Sequence, residues 1–335
     1  MKVAVYSTKP YDKTFFDAEN SGHKCEITYF EDPLTEETAF YTSDFDAVCV
    51  FVNDQLDHTV IHQLAKNGIK LIALRCAGFN NVDLQAASDH GIAVVRVPAY
   101  SPYAVAEHAL ALIMTLNRKT HRSFNRVRES NFSLNGLIGF DLHGKTVGVI
   151  GTGKIGRIFS RIMLGLGCKV IAYDPFPDEG LQQSGIAYAT LDELYLASDI
   201  ISLQCPLTPE TYHLINENSL QKMKNGVMLI NTSRGGLIDT KILVKALKSG
   251  KIGYLGIDVY EQEEAIFFKD LSDQIVQDDL IMRLITFPNV LITSHQAFFT
   301  DTAMQNIAST SLGNITAFFN AGKIQNEVNP DWVKA

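Results

Sequence analysis

The chain has 335 residues, 46% of them hydrophobic and 20% charged, with 29 Lys and Arg against 37 Asp and Glu for a net charge of -8 with histidine neutral. At roughly 100 to 200 residues per domain this length suggests about two globular domains, and the ordinary composition argues against disorder. An acidic chain with no block of Lys and Arg has no electrostatic footprint for nucleic acid or an anionic membrane, so neither partner is expected.

Along the chain, short β-branched runs alternate with amphipathic stretches, the pattern of a parallel sheet covered by helices. The first series reads Lys2 to Tyr6, Cys25 to Tyr29, Ala47 to Val52, Leu71 to Leu74 and Ala93 to Val97, with a helical candidate at Asp57 to Lys66. Its opening run, Val3 to Tyr6, is too short for a secretory signal, and no segment approaches the roughly 18 apolar residues of a membrane span. The five cysteines, Cys25, Cys49, Cys76, Cys168 and Cys205, are odd in number and contain no CxxC pair. They suggest neither a disulfide framework nor a metal site, and a reducing cytoplasm is the expected compartment.

Pro102 to Arg118 follows, with an apolar stripe at Val105, Ala109, Leu112, Ile113 and Leu116 and proline in its first turn. It reads first as a buried connector and second as a subunit contact. A second strand series then begins: Thr146 to Ile150, Lys169 to Tyr173, Asp199 to Leu203, Val227 to Asn231, Gly253 to Asp258 and Val290 to Thr293. Helical spacing returns from Thr302 to Phe319, with Gly322 as its terminator.

Between the strand Thr146 to Ile150 and a helix predicted from Ile155 to Leu166 stand Gly151, Gly153 and Gly156 at GxGxxG spacing. The first glycine suits a tight turn, the second lets backbone approach a pyrophosphate, and the third lets helix and strand pack closely. Alone this pattern is weak. Asp174, at the end of the next strand and about 20 residues on, adds the acid that hydrogen-bonds a ribose and repels a 2′-phosphate, so the cofactor expected is NAD. The first series has Tyr6-Ser7-Thr8-Lys9-Pro10 after its opening strand, so only the second is predicted to bind a dinucleotide.

Ligands in open α/β sheets bind beyond the carboxyl ends of strands, and three polar residues follow strands of the second series. Arg234 offers a planar fork for a carboxylate. His295 can donate and accept a proton near neutrality. Glu263 could stabilise the imidazolium. Each also has an ordinary reading: a surface arginine, a hydrogen-bonded structural histidine, a member of the solvated acidic turn Glu261-Gln262-Glu263-Glu264. Their joint position beside a nucleotide fold favours hydride chemistry on a 2-keto acid.

Gly151 to Gly156, Asn231-Thr232-Ser233-Arg234-Gly235, Asp258-Val259-Tyr260-Glu261 with Glu263, and Ser294 to Phe298 together resemble the D-isomer-specific 2-hydroxyacid dehydrogenases. Leu74 to Asp83 and Val97 to Tyr100 resemble the fermentative D-lactate dehydrogenase branch of that family. The likeness runs over almost the whole chain. It implies two doubly wound parallel-sheet domains: a discontinuous, flavodoxin-like substrate domain (1–100 and 300–335) and an inserted Rossmann NAD-binding domain (101–299), with two hinges.

The resemblance further implies that Arg234 binds the substrate carboxylate, His295 is the acid/base and Glu263 pairs with it. Ala77, Gly78 and Tyr100 would contact substrate. Cofactor contacts would come from the glycine turn, Lys154, Ile155, Asp174, Cys205, Pro206, Thr232, Ser233 and Asp258, and from Thr211, where asparagine is expected in relatives. The activity implied is reversible reduction of pyruvate to D-lactate by a cytoplasmic homo-oligomer, dimer or tetramer. A larger 2-keto acid as substrate and an NAD-binding, corepressor-like module are the alternatives.

Overall fold

A computed structural model describes residues 1–330, in two units: Met1–Ser101 with the stretch from Phe299 on, and Pro102–Phe298.

In the first unit, β1 (Lys2–Val5), β2 (Glu26–Tyr29), β3 (Ala47–Val50), β4 (Leu71–Leu74) and β5 (Ala93–Arg96) form a wholly parallel sheet in the order β2-β1-β3-β4-β5. This is the flavodoxin-like order, with the strand direction of growth reversing between β1 and β3. Every residue of β3 and β4 is buried, as a parallel strand covered on both faces requires. The Ala47 to Val52 run ends as a strand at Val50 because Phe51 N–H donates instead to the buried Asp54 carboxylate at 2.6 Å. Asp57 caps the His58–Lys66 helix by accepting from Val60 N–H. The helix Asp301–Ala321 belongs to this unit, lying along Pro10–His23, and Asn314 Nδ2 on it donates to the Arg96 carbonyl. It stops at Gly322, whose φ of 61° is left-handed.

In the second unit, β6 (Thr146–Ile150), β7 (Lys169–Tyr173), β8 (Ala187–Tyr188), β9 (Ile200–Leu203), β10 (Val227–Asn231), β11 (Ile252–Ile257) and β12 (Val290–Ile292) are again all parallel, in the order β12-β11-β10-β9-β6-β7-β8. That is the dinucleotide-binding order with one added strand, and its switch point lies between β6 and β9. The two-residue edge strand β8 has too little sequence to carry a period.

Helix Pro102–Arg118 packs on β10 and β11, and all five residues of its predicted stripe are buried. Gly256 makes room for it: a Cβ there would meet Leu116 at 3.1 Å and Leu112 at 3.3 Å. Burying each leucine contributes roughly 1.5–3 kcal/mol, so this stripe of the helix is core. The following helix, Thr120–Arg128, buries nothing, and Phe124, Phe132, Leu134 and Ile138 in and after it are exposed.

Candidate active site

The dinucleotide turn explains two of its glycines from within the protein. Gly151 has φ +98° and lies so close to β9 that a Cβ would stand 2.6 Å from Cys205 N. A Cβ on Gly156 would stand 2.0 Å from the Gly151 carbonyl oxygen, so only glycine lets the helix reach its strand. Gly153 differs: its φ of -63° suits any residue, and nothing lies within 4 Å of a Cβ built there. No protein contact requires that glycine. Gly153 is also the N-cap of Lys154–Gly165 and no side chain caps the helix, leaving its first N–H groups for an anion, with Lys154 exposed and Ile155 half-buried beside them. A bare backbone approach in front of uncapped donors fits a pyrophosphate.

Asp174, just past β7, is held from both sides of its carboxylate. Oδ2 accepts from Thr152 N–H at 2.6 Å and Thr152 Oγ1 at 3.1 Å, and Oδ1 accepts from Phe176 N–H at 2.9 Å. The Tyr188 hydroxyl on β8 donates to Thr152 Oγ1 at 2.9 Å. About four lone-pair sites exist on a carboxylate, so Asp174 is oriented yet retains acceptor capacity.

Across the switch point, the loops after β9 and β10 are tied together. Ser233 Oγ donates to the Cys205 carbonyl, and buried Thr232 accepts from Gln204 Nε2 at 3.4 Å. Burial pushes the Cys205 thiol up to about 11. Thr211 Oγ1 donates to the Pro206 carbonyl at 2.8 Å and accepts from Thr208 N–H at 2.7 Å, so its hydroxyl closes the loop that exposes Pro206.

Arg234, Glu263 and His295 follow the adjacent strands β10, β11 and β12, and Arg234 and His295 stand in matching register. Asn231 pairs with Ile257, and Ile257 with Ile292; Arg234 and His295 each lie three residues beyond their paired positions, with Asp258 one beyond its own. Strand spacing puts β10 and β12 about 10 Å apart, on either side of β11. The Asn231 amide shapes the first turn, accepting from Ser233 N–H and donating to the Arg234 carbonyl. A Cβ on Gly235 would lie 2.2 Å from the Tyr260 carbonyl carbon, so the Arg234 loop rests directly on the backbone leading to Glu263. Arg234 donates to the Ser233 carbonyl and makes no ion pair among the described residues. It is a half-buried cation suited to a carboxylate.

His295 Nδ1 lies 2.7 Å from Glu263 Oε1, while Glu263 Oε2 accepts from Tyr260 N–H at 2.9 Å. An ionised carboxylate only accepts, so Nδ1 carries the hydrogen. His295 has φ +53°, a left-handed conformation that costs a non-glycine residue roughly 1–2 kcal/mol. Asp258 holds it there. This carboxylate is fully buried; it accepts from Thr293 Oγ1, from Gln296 N–H at 2.9 Å and from Ala297 N–H at 2.8 Å, while its carbonyl takes His295 N–H at 2.7 Å. Burial would raise its pKa, but hydrogen bonds from His108, Thr293 and Ala297 outweigh it and hold the group below the ordinary carboxylate range.

The acidic run is not a uniform solvated turn. Glu261, two residues before Glu263, pairs with a different histidine, His213 Nε2, at 2.7 Å and accepts from Thr240 Oγ1 at 2.7 Å. The alternation in Glu261-Gln262-Glu263 was the available signal, but its partner His213 lies 48 residues upstream. His108, Thr152, Tyr188 and Thr293 were also unread as site residues, because each acts on another side chain. In the first unit, Ala77, Gly78 and Tyr100 are half-buried: Ala77 and Gly78 follow β4 and Tyr100 follows β5. The Ala77 carbonyl takes Arg96 Nη1 at 2.8 Å, and that of Tyr100 takes Asn306 Nδ2. Phe298 is buried and Phe299 packs edge-on against Tyr11. No group of three or more His, Cys, Asp or Glu among the described residues could hold a metal ion.

Residues 110–297 match the model of the D-isomer specific 2-hydroxyacid dehydrogenase NAD binding domain. The chain is 53% identical to D-lactate dehydrogenase of Escherichia coli (strain K12) over 316 residues, 94% of this chain and 96% of that protein. The apo-structure of D-lactate dehydrogenase from E. coli superposes with a TM-score of 0.91 at 50% identity, covering 98% of this chain and all of the other. D-lactate dehydrogenase with NAD+ from Lactobacillus jensenii gives a TM-score of 0.83 at 34% identity, with the same coverage of 98% and 100%.

Proposed function

The chain belongs to the D-isomer-specific 2-hydroxyacid dehydrogenases, NAD-dependent oxidoreductases, and on that footing we propose that it is a D-lactate dehydrogenase that reversibly reduces pyruvate. The observation that carries the reading is the His295–Glu263 pair, with Arg234 on the neighbouring loop, beyond one edge of a sheet whose opening turn fits a pyrophosphate.

NADH, when bound, supplies the hydride to the keto carbon. Arg234 holds the substrate carboxylate through its planar fork and fixes the carbonyl's orientation. His295 Nε2 donates a proton to the carbonyl oxygen as charge develops there, and takes it back in the oxidative direction. Glu263 keeps the imidazole in that tautomer and stabilises the cation. Asp174 holds the ribose hydroxyls, and the N–H groups around Gly153, Lys154 and Ile155 receive the pyrophosphate. On the same reading, Ala77, Gly78 and Tyr100 also contact the substrate.

A panel of 2-keto acids assayed with NADH and NADPH, with chiral analysis of the product, tests the reading. Pyruvate should be turned over with NADH to D-lactate. A strong preference for a larger 2-keto acid would move the substrate assignment. Nucleotide binding without turnover would make the chain an NAD-dependent interaction module.

The same reading makes the protein a cytoplasmic homo-oligomer, and no helix among the described residues is long and apolar enough to cross a membrane. The exposed Phe124, Phe132, Leu134 and Ile138 support a subunit contact on that segment. Analytical ultracentrifugation tests it; a monomer at micromolar concentration would remove the proposal.

A further inference from the structure

The turn that carries His295 has an anchor outside the loops, on the helix Pro102–Arg118. His108 Nε2 lies 3.0 Å from Thr293 Oγ1 and 3.4 Å from Asp258 Oδ1. Thr293 has one hydroxyl hydrogen, and it goes to Asp258 Oδ1. The contact between His108 and Thr293 is therefore donated by Nε2–H, which fixes the direction of the chain: His108 to Thr293 to Asp258. Asp258 then receives Gln296 N–H and Ala297 N–H on its side chain and His295 N–H on its backbone carbonyl. Four links, from Thr293, His295, Gln296 and Ala297, rest on this one residue, three of them on its buried carboxylate. Hydrogen bonding from His108 leads the effects that hold that carboxylate ionised against its burial.

We propose that His108 is a positioning residue for the hydride-transfer reaction, acting through Thr293 and Asp258 to keep His295 in its left-handed turn with Nε2 presented to substrate. It touches neither substrate nor cofactor in this role. The helix supplies rigidity: Ala104, Val105, Ala109 and Leu112 around His108 are buried, so the imidazole has a fixed base from which to hold a loop whose backbone conformation is unfavourable on its own. The inference rests on the assignment of His295 as the acid/base.

The test compares His108→Leu, which removes the donor, with His108→Gln, whose side-chain amide can restore it, and with Thr293→Val, which cuts the next link. For His108→Leu, kcat should fall roughly tenfold to a hundredfold, the scale of a catalytic group displaced by about 1 Å. KM for the 2-keto acid should change by less than about threefold, and His108→Gln should recover most of the rate. Thr293→Val should match His108→Leu, and the double variant should be no worse than either single one.

Amide hydrogen exchange on the full chain gives a readout independent of turnover: Gln296 and Ala297 should exchange faster in His108→Leu and at the wild-type rate in His108→Gln. If the wild-type chain turns over no 2-keto acid while exchange follows this pattern, the activity assignment fails and the wiring stands. Wild-type kcat with unchanged exchange in His108→Leu, equal losses in the leucine and glutamine variants, or independent multiplicative losses in the double variant would each overturn the proposal.

Discussion

Gly153→Ala separates a glycine kept for the fold from one kept for the ligand. The residue has φ -63° and ψ -167°, and a Cβ there meets nothing within 4 Å, so alanine fits without strain. Reducing the unfolded chain's freedom contributes about 0.4–1 kcal/mol of stability, while alanine is worse than glycine at a helix N-cap by a similar amount, roughly 0.5–1 kcal/mol. The two offset, and at about 2–4 °C per kcal/mol for a unit of this size Tm should move by no more than about 4 °C. On the proposed reading, the methyl group instead stands where phosphate oxygens approach. Losing one charge-assisted hydrogen bond of roughly 1.5–3 kcal/mol should raise the NADH Kd about tenfold to a hundredfold. Thermal unfolding and NADH fluorescence titration on the same preparation read both quantities. Wild-type NADH affinity, or a Tm drop beyond about 10 °C, would refute the reasoning. Gly156→Ala is the opposite case: its Cβ would lie 2.0 Å from a backbone oxygen, and a loss of about 1–3 kcal/mol in stability is expected.

His295→Gln should lower kcat by roughly 10² to 10⁴, the scale of a lost general acid, with NADH affinity close to wild type; full activity would take His295 out of the mechanism. Asp174→Ala should narrow the preference for NAD over NADP, and Tyr188→Phe, which frees Thr152 Oγ1 from its donor, should narrow it less. Equal kcat/KM ratios in wild type and both variants would mean another group reads the ribose. Asp258 sits below the ordinary carboxylate range, so the stability it adds is present above its unfolded value of about 3.9 and is lost as pH falls through the lower folded value. Asp258→Asn should therefore flatten the dependence of unfolding free energy on pH below about 4, as followed by urea titration across pH; an unchanged slope would contradict it. Burial raises the Cys205 thiol to about 11 and all five cysteines are buried, so iodoacetamide at pH 7.5 should leave activity intact over an hour; rapid inactivation would show a reactive thiol.

The sequence by itself determined what depends on local order along the chain. Strand runs such as Leu71–Leu74, Thr146–Ile150 and Lys169–Tyr173 have the predicted bounds, and Leu71–Leu74, buried throughout, is apolar throughout as a strand covered on both faces must be. The helix Pro102–Arg118 was equally legible from its stripe and proline. The spacing from Gly151 to Asp174 was readable because a turn, a helix and one strand separate them, and Arg234, Glu263 and His295 were readable because each follows a strand end. Tertiary structure alone decided that Glu261 serves His213, that Asp258 anchors the His295 turn, and that His108, 150 residues earlier in the chain than Asp258, stands behind it. Hydrogen bonds act over about 3 Å and are indifferent to sequence separation, so partners on different strands and helices leave no periodic trace until the sheet order brings them together.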